Sequence, residues 1–550
     1  MGRYVVRSPK HRDGAKLQIL IHCPGYVLSR QLDPKKYRVL VVSPRSYFVF
    51  TPLLNDTTVG TLEFRNVLES VRKRNSKVEY LQGWADDVNF LDKYVTVEPS
   101  VLDPDVGRAL TGPREVNGER TTDMLERTLH AGGTGKAQVP TFPVRYDKLI
   151  IAVGCYSQTF NIKGVRENAM FLKDVRDAQA IRRRILELFE LARLPIIPDE
   201  TKRCLLHFAI VGGGPTGMEF AACLSDLIRD DITKLHPGLL KYIKISLYDV
   251  APKVLPMFDA SLADYAIKQY ARQNVQIKTS HVVEELRKGF PNDPEAAQNQ
   301  DKQVKGRVYT IRTKQEGDVG IGMCVWSTGG MNNPFVDKAL NHVRRFPVGS
   351  AQFTQGGATA VENPNTRQWM IERDPRSGLI LVDDHFRVNL TTDAAIDEEV
   401  NGDPDHSHDP QPHAFVKDVF AIGDTTKLKS GALPATAQVA NQQALWLAKS
   451  LNKFPDPDAY AKNKGFTFRN LGVFTYIGGA KAMLQGPPSE ARKNGKTGSG
   501  GATGLNFRGW IAFLLWRGAY LTMTLSWRNK FLVPMQWVAV RLFGRDVSRF

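Results

Sequence analysis

The sequence predicts an α/β fold with parallel sheets, and three observations carry that expectation. Strand-like apolar runs alternate with helix-like runs from about Leu17 to Leu451, the pattern of crossover units. One stretch, Phe208 to Leu224 (FAIVGGGPTGMEFAACL), sets Gly212, Gly214 and Gly217 as G-x-G-x-x-G between a strand and a helix. Other apolar runs stop at glycine or aspartate, where parallel strands present ligand-binding ends.

In chain order, Leu17 to Ile21 reads as the first strand, Tyr26 to Leu32 as a helix and Tyr37 to Val42 as the next strand. Lys148 to Val153 reads as a buried strand ending at Gly154. Met323 to Ser327, followed by Thr328-Gly329-Gly330, is its counterpart in a second unit, and Val419 to Ile422 runs into Gly423-Asp424. Three polar stretches read as surface insertions: Pro99 to Pro143, Arg344 to Asn365 and Thr391 to Pro412. The last carries His406 and His408 beside His413. In an Asp/Pro-rich loop without further ligands this reads as solvated chain, and no metal is expected.

The glycines have distinct duties. Gly212 permits the tight turn, Gly214 lets backbone approach a pyrophosphate, and Gly217 lets the helix lie close on the strand. The N–H groups at that helix start then face phosphate oxygens. Tyr242 to Val250 reads as the next strand and carries Asp249 at its end. A carboxylate there accepts hydrogen bonds from an adenosine ribose and repels a 2′-phosphate, which predicts NADH in preference to NADPH. Asp249 lies farther from Gly217 than the generic spacing of about 20 residues. An insertion at Arg229 to Leu240 is expected to account for the difference.

At 550 residues the chain is too long for one core. Its net charge of +17 could meet nucleic acid or anionic lipid, but the basic residues are mostly dispersed and no nucleic-acid motif occurs. The 5 cysteines (Cys23, Cys155, Cys204, Cys223, Cys324) are scattered without a C-x-x-C, which excludes a dithiol redox centre and a zinc site. Residues 1–16 form a short basic segment without the apolar core of a secretory signal, and read as a poor mitochondrial presequence. No uncharged apolar run is long enough to span a bilayer.

Leu505 to Phe550 differs in character. It holds Trp510, Trp516, Trp527 and Trp537, the basic residues Arg508, Arg517, Arg528, Lys530, Arg541, Arg545 and Arg549, and one acid, Asp546. Aromatic, basic helices too short to span lie in the headgroup region, so this tail is expected on an anionic membrane surface.

Together these pieces resemble the alternative, rotenone-insensitive (type II) NADH:ubiquinone oxidoreductases of mitochondria, in a fungal-like form. The residues carrying the resemblance are Val42-Ser43-Pro44-Arg45-Ser46-Tyr47-Phe48, Phe50-Thr51-Pro52-Leu53-Leu54, Val59-Gly60-Thr61, Val153-Gly154, Gly212 to Glu219, Tyr248-Asp249, Ala421 to Asp424 and Leu433 to Gln442. The resemblance implies two Rossmann-like dinucleotide-binding domains in a glutathione-reductase-like flavoprotein, plus a C-terminal membrane-surface helical segment. The FAD-binding domain would comprise residues 17–165 and 345–452. The NADH-binding domain would be 166–344, and the membrane-anchoring segment 453–550. Beyond the fingerprint glycines and Asp249, it implies cofactor contacts at Gly25, Ser43, Pro44, Arg45, Thr51, Pro52, Val153, Gly154, Thr328, Gly329, Gly423, Asp424 and Ala437. Asp424 would hold the ribityl chain of FAD, and Glu219 would sit near nicotinamide and flavin. Gln438 and Gln442, one turn apart on one helix face, would meet the ubiquinone head-group.

The implied reaction passes hydride from NADH to FAD and electrons on to ubiquinone, without proton pumping. It would take place peripherally on the mitochondrial inner membrane, and a homodimer is compatible with it. One departure stands out. Where the family opens with its own glycine fingerprint, this chain reads Leu20-Ile21-His22-Cys23-Pro24-Gly25-Tyr26, and only Gly25 remains. Side chains then stand where backbone should meet phosphate. Two accounts stay open, an exon-edge error in the sequence or a site that holds FAD poorly. The competing functions are a non-enzymatic NADH-binding relic and a soluble flavin reductase with another acceptor.

Overall fold

The computed structural model describes residues 17–22, 25–72, 77–100, 141–291, 304, 306–340, 351–354, 369–391, 413–456, 459–460, 462–487, 506–524 and 526–548. The expected insertions fall mostly outside them, as do the basic residues 1–16, Cys23, His406 and His408. The chain divides into two compact units. One comprises Met1–Phe48, Ser70–Tyr156 and Gly330–Phe468; the other comprises Val49–Glu69, Ser157–Gly329 and Arg469–Phe550. The chain passes between the units at 48/49, 69/70, 156/157, 329/330 and 468/469, whereas the limits expected from the sequence are 165/166, 344/345 and 452/453. The short segment 49–69 belongs with the glycine fingerprint and the tail.

The first unit is built on a 12-stranded sheet. Its parallel centre runs His413–Ala421, Lys148–Ile151, Leu17–His22, Tyr37–Ser43 and Val78–Asn89, with Ile21 opposite both Val41 and Ile150. All four residues of Lys148–Ile151 are buried, as expected of a central parallel strand covered on both faces. The strand expected at Val419 starts earlier, at His413, and so takes in the end of the His-bearing stretch. The helix Ala437–Lys453 covers the sheet with Val439, Ala444, Leu447, Ala448 and Leu451, and Thr436 caps it through its hydroxyl on the Val439 N–H.

The second unit has a five-stranded parallel sheet in the order Met170–Phe171, Met323–Trp326, His207–Val211, Lys244–Tyr248, Val275–Lys278. Between two central strands lies the fingerprint helix Pro215–Leu227, buried without a break from Gly217 to Leu227. A helix buried on every side, polar residues included, must be covered on every side. Part of that cover is the helix Leu54–Thr58, every residue of which is buried. Another part is C-terminal: an antiparallel sheet of Val473–Tyr476, Ala482–Gln485 and Asn506–Gly509, then the helices Trp510–Met523 and Trp527–Phe543. The expected insertion after the fingerprint helix is real. It forms a π-turn Ile228–Ile232, a helical turn Thr233–Leu235 and a 3-10 turn Pro237–Tyr242.

The tail thus has two faces. Ala512, Trp516, Val533 and Trp537 join the core that holds Phe220 and Leu224. Trp510, Trp527, Phe531, Met535, Val538 and Leu542 are exposed, Trp527 at 75%. Among the described residues no helix is long and apolar enough to cross a membrane.

Candidate functional site

The fingerprint turn separates its glycines by what each is for. Gly212 has φ +114, and a Cβ there would stand 2.7 Å from the Ser327 carbonyl oxygen. At Gly217 a Cβ would stand 2.2 Å from the Gly212 oxygen. Both positions are glycine because the protein's own backbone leaves no room. A Cβ on Gly213, which the sequence reading passed over, would press on Val254 and Asp249. Around Gly214 there is no protein atom within 4 Å of a Cβ. The chain itself does not require glycine there, and the open space is a cradle at the start of a long helix whose N-cap, Gly214, has no side-chain bond. These residues fit a dinucleotide pyrophosphate.

Asp249 stands at the end of the neighbouring strand. Its Oδ2 accepts the Gly213 N–H, and its Oδ1 accepts the Ala251 N–H at 2.7 Å. The carboxylate therefore braces the turn and keeps lone pairs for a ribose hydroxyl. Across the turn, the Thr328 hydroxyl donates to the Gln158 carbonyl at 2.5 Å, while Gly329 is exposed with nothing within 4 Å of a Cβ.

Two residues past Gly217, Glu219 is buried at 7% exposure. Its Oε2 accepts from Asn55 Nδ2 at 3.1 Å, and its Oε1 accepts from Thr475 Oγ1 at 3.3 Å and the Tyr476 N–H at 3.1 Å. Desolvation raises its pKa to about 7 against the pull of those donors, and the neighbouring Asp56 adds to the rise. Asp56 is buried too, accepting from Cys223 Sγ at 3.7 Å. Burial raises its pKa; the Arg517 charge is the largest pull the other way. The Arg517 guanidinium lies 4.4 Å from the ring centres of both Phe513 and Trp537. An aromatic layer continues through Phe50, Tyr520, Trp516 and Tyr476. Thr51 and Pro52 open the 3-10 turn that leads to Asn55, Thr51 exposed and Pro52 half-buried.

In the first unit the expected flavin residues follow the C-terminal ends of strands in one parallel sheet. Gly25 comes after Leu17–His22 as the N-cap of a six-residue helix, Tyr26–Gln31, with φ −65. Ser43 is buried, its hydroxyl bonded to the Arg45 carbonyl, and Gln82 and Ser100 both donate to the Pro44 carbonyl. The Arg45 side chain is exposed. Val153 accepts from Asn333 Nδ2 at 3.2 Å, and Gly154 turns at φ +69. Gly423 turns at φ +82, and its N–H is taken by Gln443 Oε1 at 2.7 Å. That strand end thus offers the half-buried Asp424 carboxylate, an acceptor suited to the hydroxyls of a flavin side chain. Gln438 and Gln442 are half-buried on Ala437–Lys453, and Ala437 is exposed at its start.

Sequence reasoning missed Gln443, Asn55, Asp56, Thr475 and Tyr476. Asn55-Asp56 was visible as a polar pair inside an apolar run. Nothing local tied Thr475 to Glu219, since their chain separation is large.

Fold and site define a dinucleotide-binding protein of two units, one built on a mixed sheet with a parallel centre and the other on a five-stranded parallel sheet. Comparison with known proteins makes this specific. Residues 24–340 match the family model described as pyridine nucleotide-disulphide oxidoreductase, and residues 470–546 match the NDH2 C-terminal domain. A "Probable NADH dehydrogenase" of Dictyostelium discoideum is 30% identical, over 96% of this chain and 89% of that protein. An "Internal alternative NAD(P)H-ubiquinone oxidoreductase A1, mitochondrial" of Arabidopsis thaliana is 31% identical, over 98% and 86%. The solved NDH2 of Plasmodium falciparum in complex with NADH has the same fold, at TM-score 0.69 and 22% identity, covering 97% of this chain and 100% of that one. The chain belongs to the pyridine nucleotide-disulphide oxidoreductases, in their alternative, type II NADH-ubiquinone oxidoreductase branch. The disulphide of the family name has no counterpart among the described residues, where Cys155, Cys204, Cys223 and Cys324 are free.

Proposed function

We propose that this chain is an FAD-dependent NADH:ubiquinone oxidoreductase working without proton pumping at the surface of the mitochondrial inner membrane. The observation that carries the reading is the open space at Gly214, with nothing within 4 Å of a Cβ, at the start of the fingerprint helix whose turn the Asp249 carboxylate braces at Gly213. The turn Gly212–Gly217 receives the NADH pyrophosphate, and Asp249 takes the adenosine ribose. FAD, when bound, supplies the hydride acceptance and electron transfer that no side chain can perform. Ser43, Pro44, Arg45, Gly154, Gly423 and Asp424 would hold it in the first unit. Gln438 and Gln442 would meet the quinone head-group.

NADH, ubiquinone and one proton give NAD⁺ and ubiquinol, so each turnover takes up a proton. Glu219, with its pKa raised to about 7, is the buried group suited to hold one. The exposed Trp527, Phe531, Met535, Val538 and Leu542 give the tail an apolar face for the bilayer boundary.

The test is direct. Purified protein should carry flavin absorbance and oxidise NADH with a short-chain quinone; flavin-loaded protein without turnover sinks the proposal. Asp249→Asn should lower the NADH over NADPH ratio of kcat/KM about tenfold or more by removing the repelling carboxylate. A second reading, an NADH-binding protein with an impaired flavin site, is favoured by one observation. Of the opening fingerprint only Gly25 remains, with an ordinary helical φ of −65. Protein that binds NADH yet retains no flavin when supplied with it would favour that reading.

A further inference from the structure

Glu219 is closed off from solvent, and every partner it has is a donor: Asn55 Nδ2, Thr475 Oγ1 and the Tyr476 N–H. That set suits the ionised carboxylate. A protonated carboxyl adds an O–H, which needs an acceptor. The Tyr476 N–H cannot accept.

The titratable and charged groups around Glu219 are engaged elsewhere. On its own helix, Cys223 Sγ donates to Asp56, and Asp226 accepts the Tyr476 hydroxyl and the Gly479 N–H and pairs with Arg229. On the helix Ala260–Arg272, the Tyr270 hydroxyl donates to the Met218 carbonyl at 2.8 Å. On the tail helix, Tyr520 packs against Trp516 and Phe50. Asp56 repels charge on Glu219, and Arg517 and Arg545 act on Asp56.

The Thr475 hydroxyl, by rotating, can accept on the Oε1 side, and among the described residues one more acceptor lies beside Oε2. Asn55 Oδ1 is buried and without a hydrogen-bond partner, on the same amide whose nitrogen already faces Glu219. A buried amide oxygen left without a partner is destabilising. The two ends of a primary amide are almost the same shape, so a half-turn exchanges donor for acceptor without changing volume.

We propose that Asn55 is a positioning residue for Glu219, its amide turning over with the proton. The –NH₂ donates to the carboxylate when Glu219 is ionised. The C=O accepts the O–H when it is neutral. Only a proton moves, on and off one carboxylate oxygen, and the carboxyl keeps a partner in both states. The inference rests on Glu219 as the proton-holding group of the proposed reaction and needs no geometry of the flavin.

Infrared difference spectra of the full chain across a pH step test it. The protonated-carboxyl C=O band of Glu219 is assigned by its loss in Glu219→Gln. In Asn55→Leu the band should move to higher frequency, because the acceptor of its O–H is lost. In Asn55→Asp, nearly the same size, the midpoint should rise by about one unit, because the donor to the ionised form is lost while an acceptor stays, and the band stays at its hydrogen-bonded frequency. An unmoved midpoint in Asn55→Asp overturns the proposal even where Asn55→Leu fails to fold; so does an unmoved band in a folded Asn55→Leu. Wild-type turnover by Glu219→Gln would instead remove Glu219 from the reaction and leave the band shifts intact.

Discussion

Arg545 ties the end of the tail to the turn that follows the fingerprint helix, and cutting that tie should loosen the second unit. Its Nη1 lies 2.6 Å from Asp231 Oδ2 and 3.4 Å from Asp230 Oδ2, its Nε donates to Thr61 Oγ1 at 3.0 Å, and its backbone N–H donates to Asp231 Oδ1 at 3.1 Å. The Arg545 and Asp231 side chains are only 8% and 10% exposed. Removing one partner of a buried pair leaves a charge without compensation, at a cost of about 3–5 kcal/mol. Arg545→Met should therefore destabilise by about that amount. The double variant Arg545→Met/Asp231→Leu should recover most of the loss, because two desolvated charges disappear together. The assay is denaturant unfolding followed by tryptophan fluorescence, since Trp516 and Trp537 lie in the same core. A single-variant loss below about 1 kcal/mol, or a double variant no better than the single, would show that the pair is a screened surface contact.

Other outcomes follow from the same geometry. Gly214→Ala should keep the melting temperature and weaken NADH binding, whereas Gly217→Ala should destabilise the fold by about 2 kcal/mol or more, from the 2.2 Å clash; equal melting losses would dissolve the division of roles. Burial lifts the Glu219 pKa from 4.5 to about 7, so the folded state holds that proton longer than the unfolded chain. This contribution is fully present below pH ~4.5 and lost as pH rises through about 7, about 3 kcal/mol in all, so Glu219→Gln should flatten stability over that window. An unchanged stability–pH slope would place the titration elsewhere. Trp527→Ser/Phe531→Ser should release the protein from anionic vesicles at unchanged melting temperature. Deleting Leu505 to Phe550 cannot make that test, because it also removes Ala512, Trp516, Val533 and Trp537 from the core. If the two exposed aromatics can be lost without release, the tail does not dock through this face.

Much of the fold was legible because parallel strands are short, apolar and punctuated. His207–Val211, Lys244–Tyr248 and Met323–Trp326 lie within a residue or two of where apolar runs ending at glycine or aspartate placed them. Gly212 and Gly217 could be given packing roles from spacing alone, since a turn between parallel strand and helix leaves little room for side chains. The boundaries between units were less legible. The run Thr51 to Thr58 is continuous in sequence with Ser43 to Phe48, yet it covers the fingerprint helix.

By itself, the sequence determined the two-sheet α/β class, the fingerprint turn with Asp249 beside it, and a tail too broken by charge to span a bilayer. These are local properties, written in periodicity, glycine spacing and the placement of charge. Only the tertiary structure decided what surrounds Glu219. Asn55, Thr475, Tyr476 and Asp56 converge on it from stretches far apart in the chain, and burial there lifts its pKa to about 7. The tail's second role was decided the same way. Trp516 and Trp537 read as membrane aromatics in a list of residues, but the helix faces they occupy turn them into the core, leaving Trp510 and Trp527 outside. Desolvation and hydrogen bonding depend on which distant residues arrive in contact, and chain order does not encode that until the packing is made.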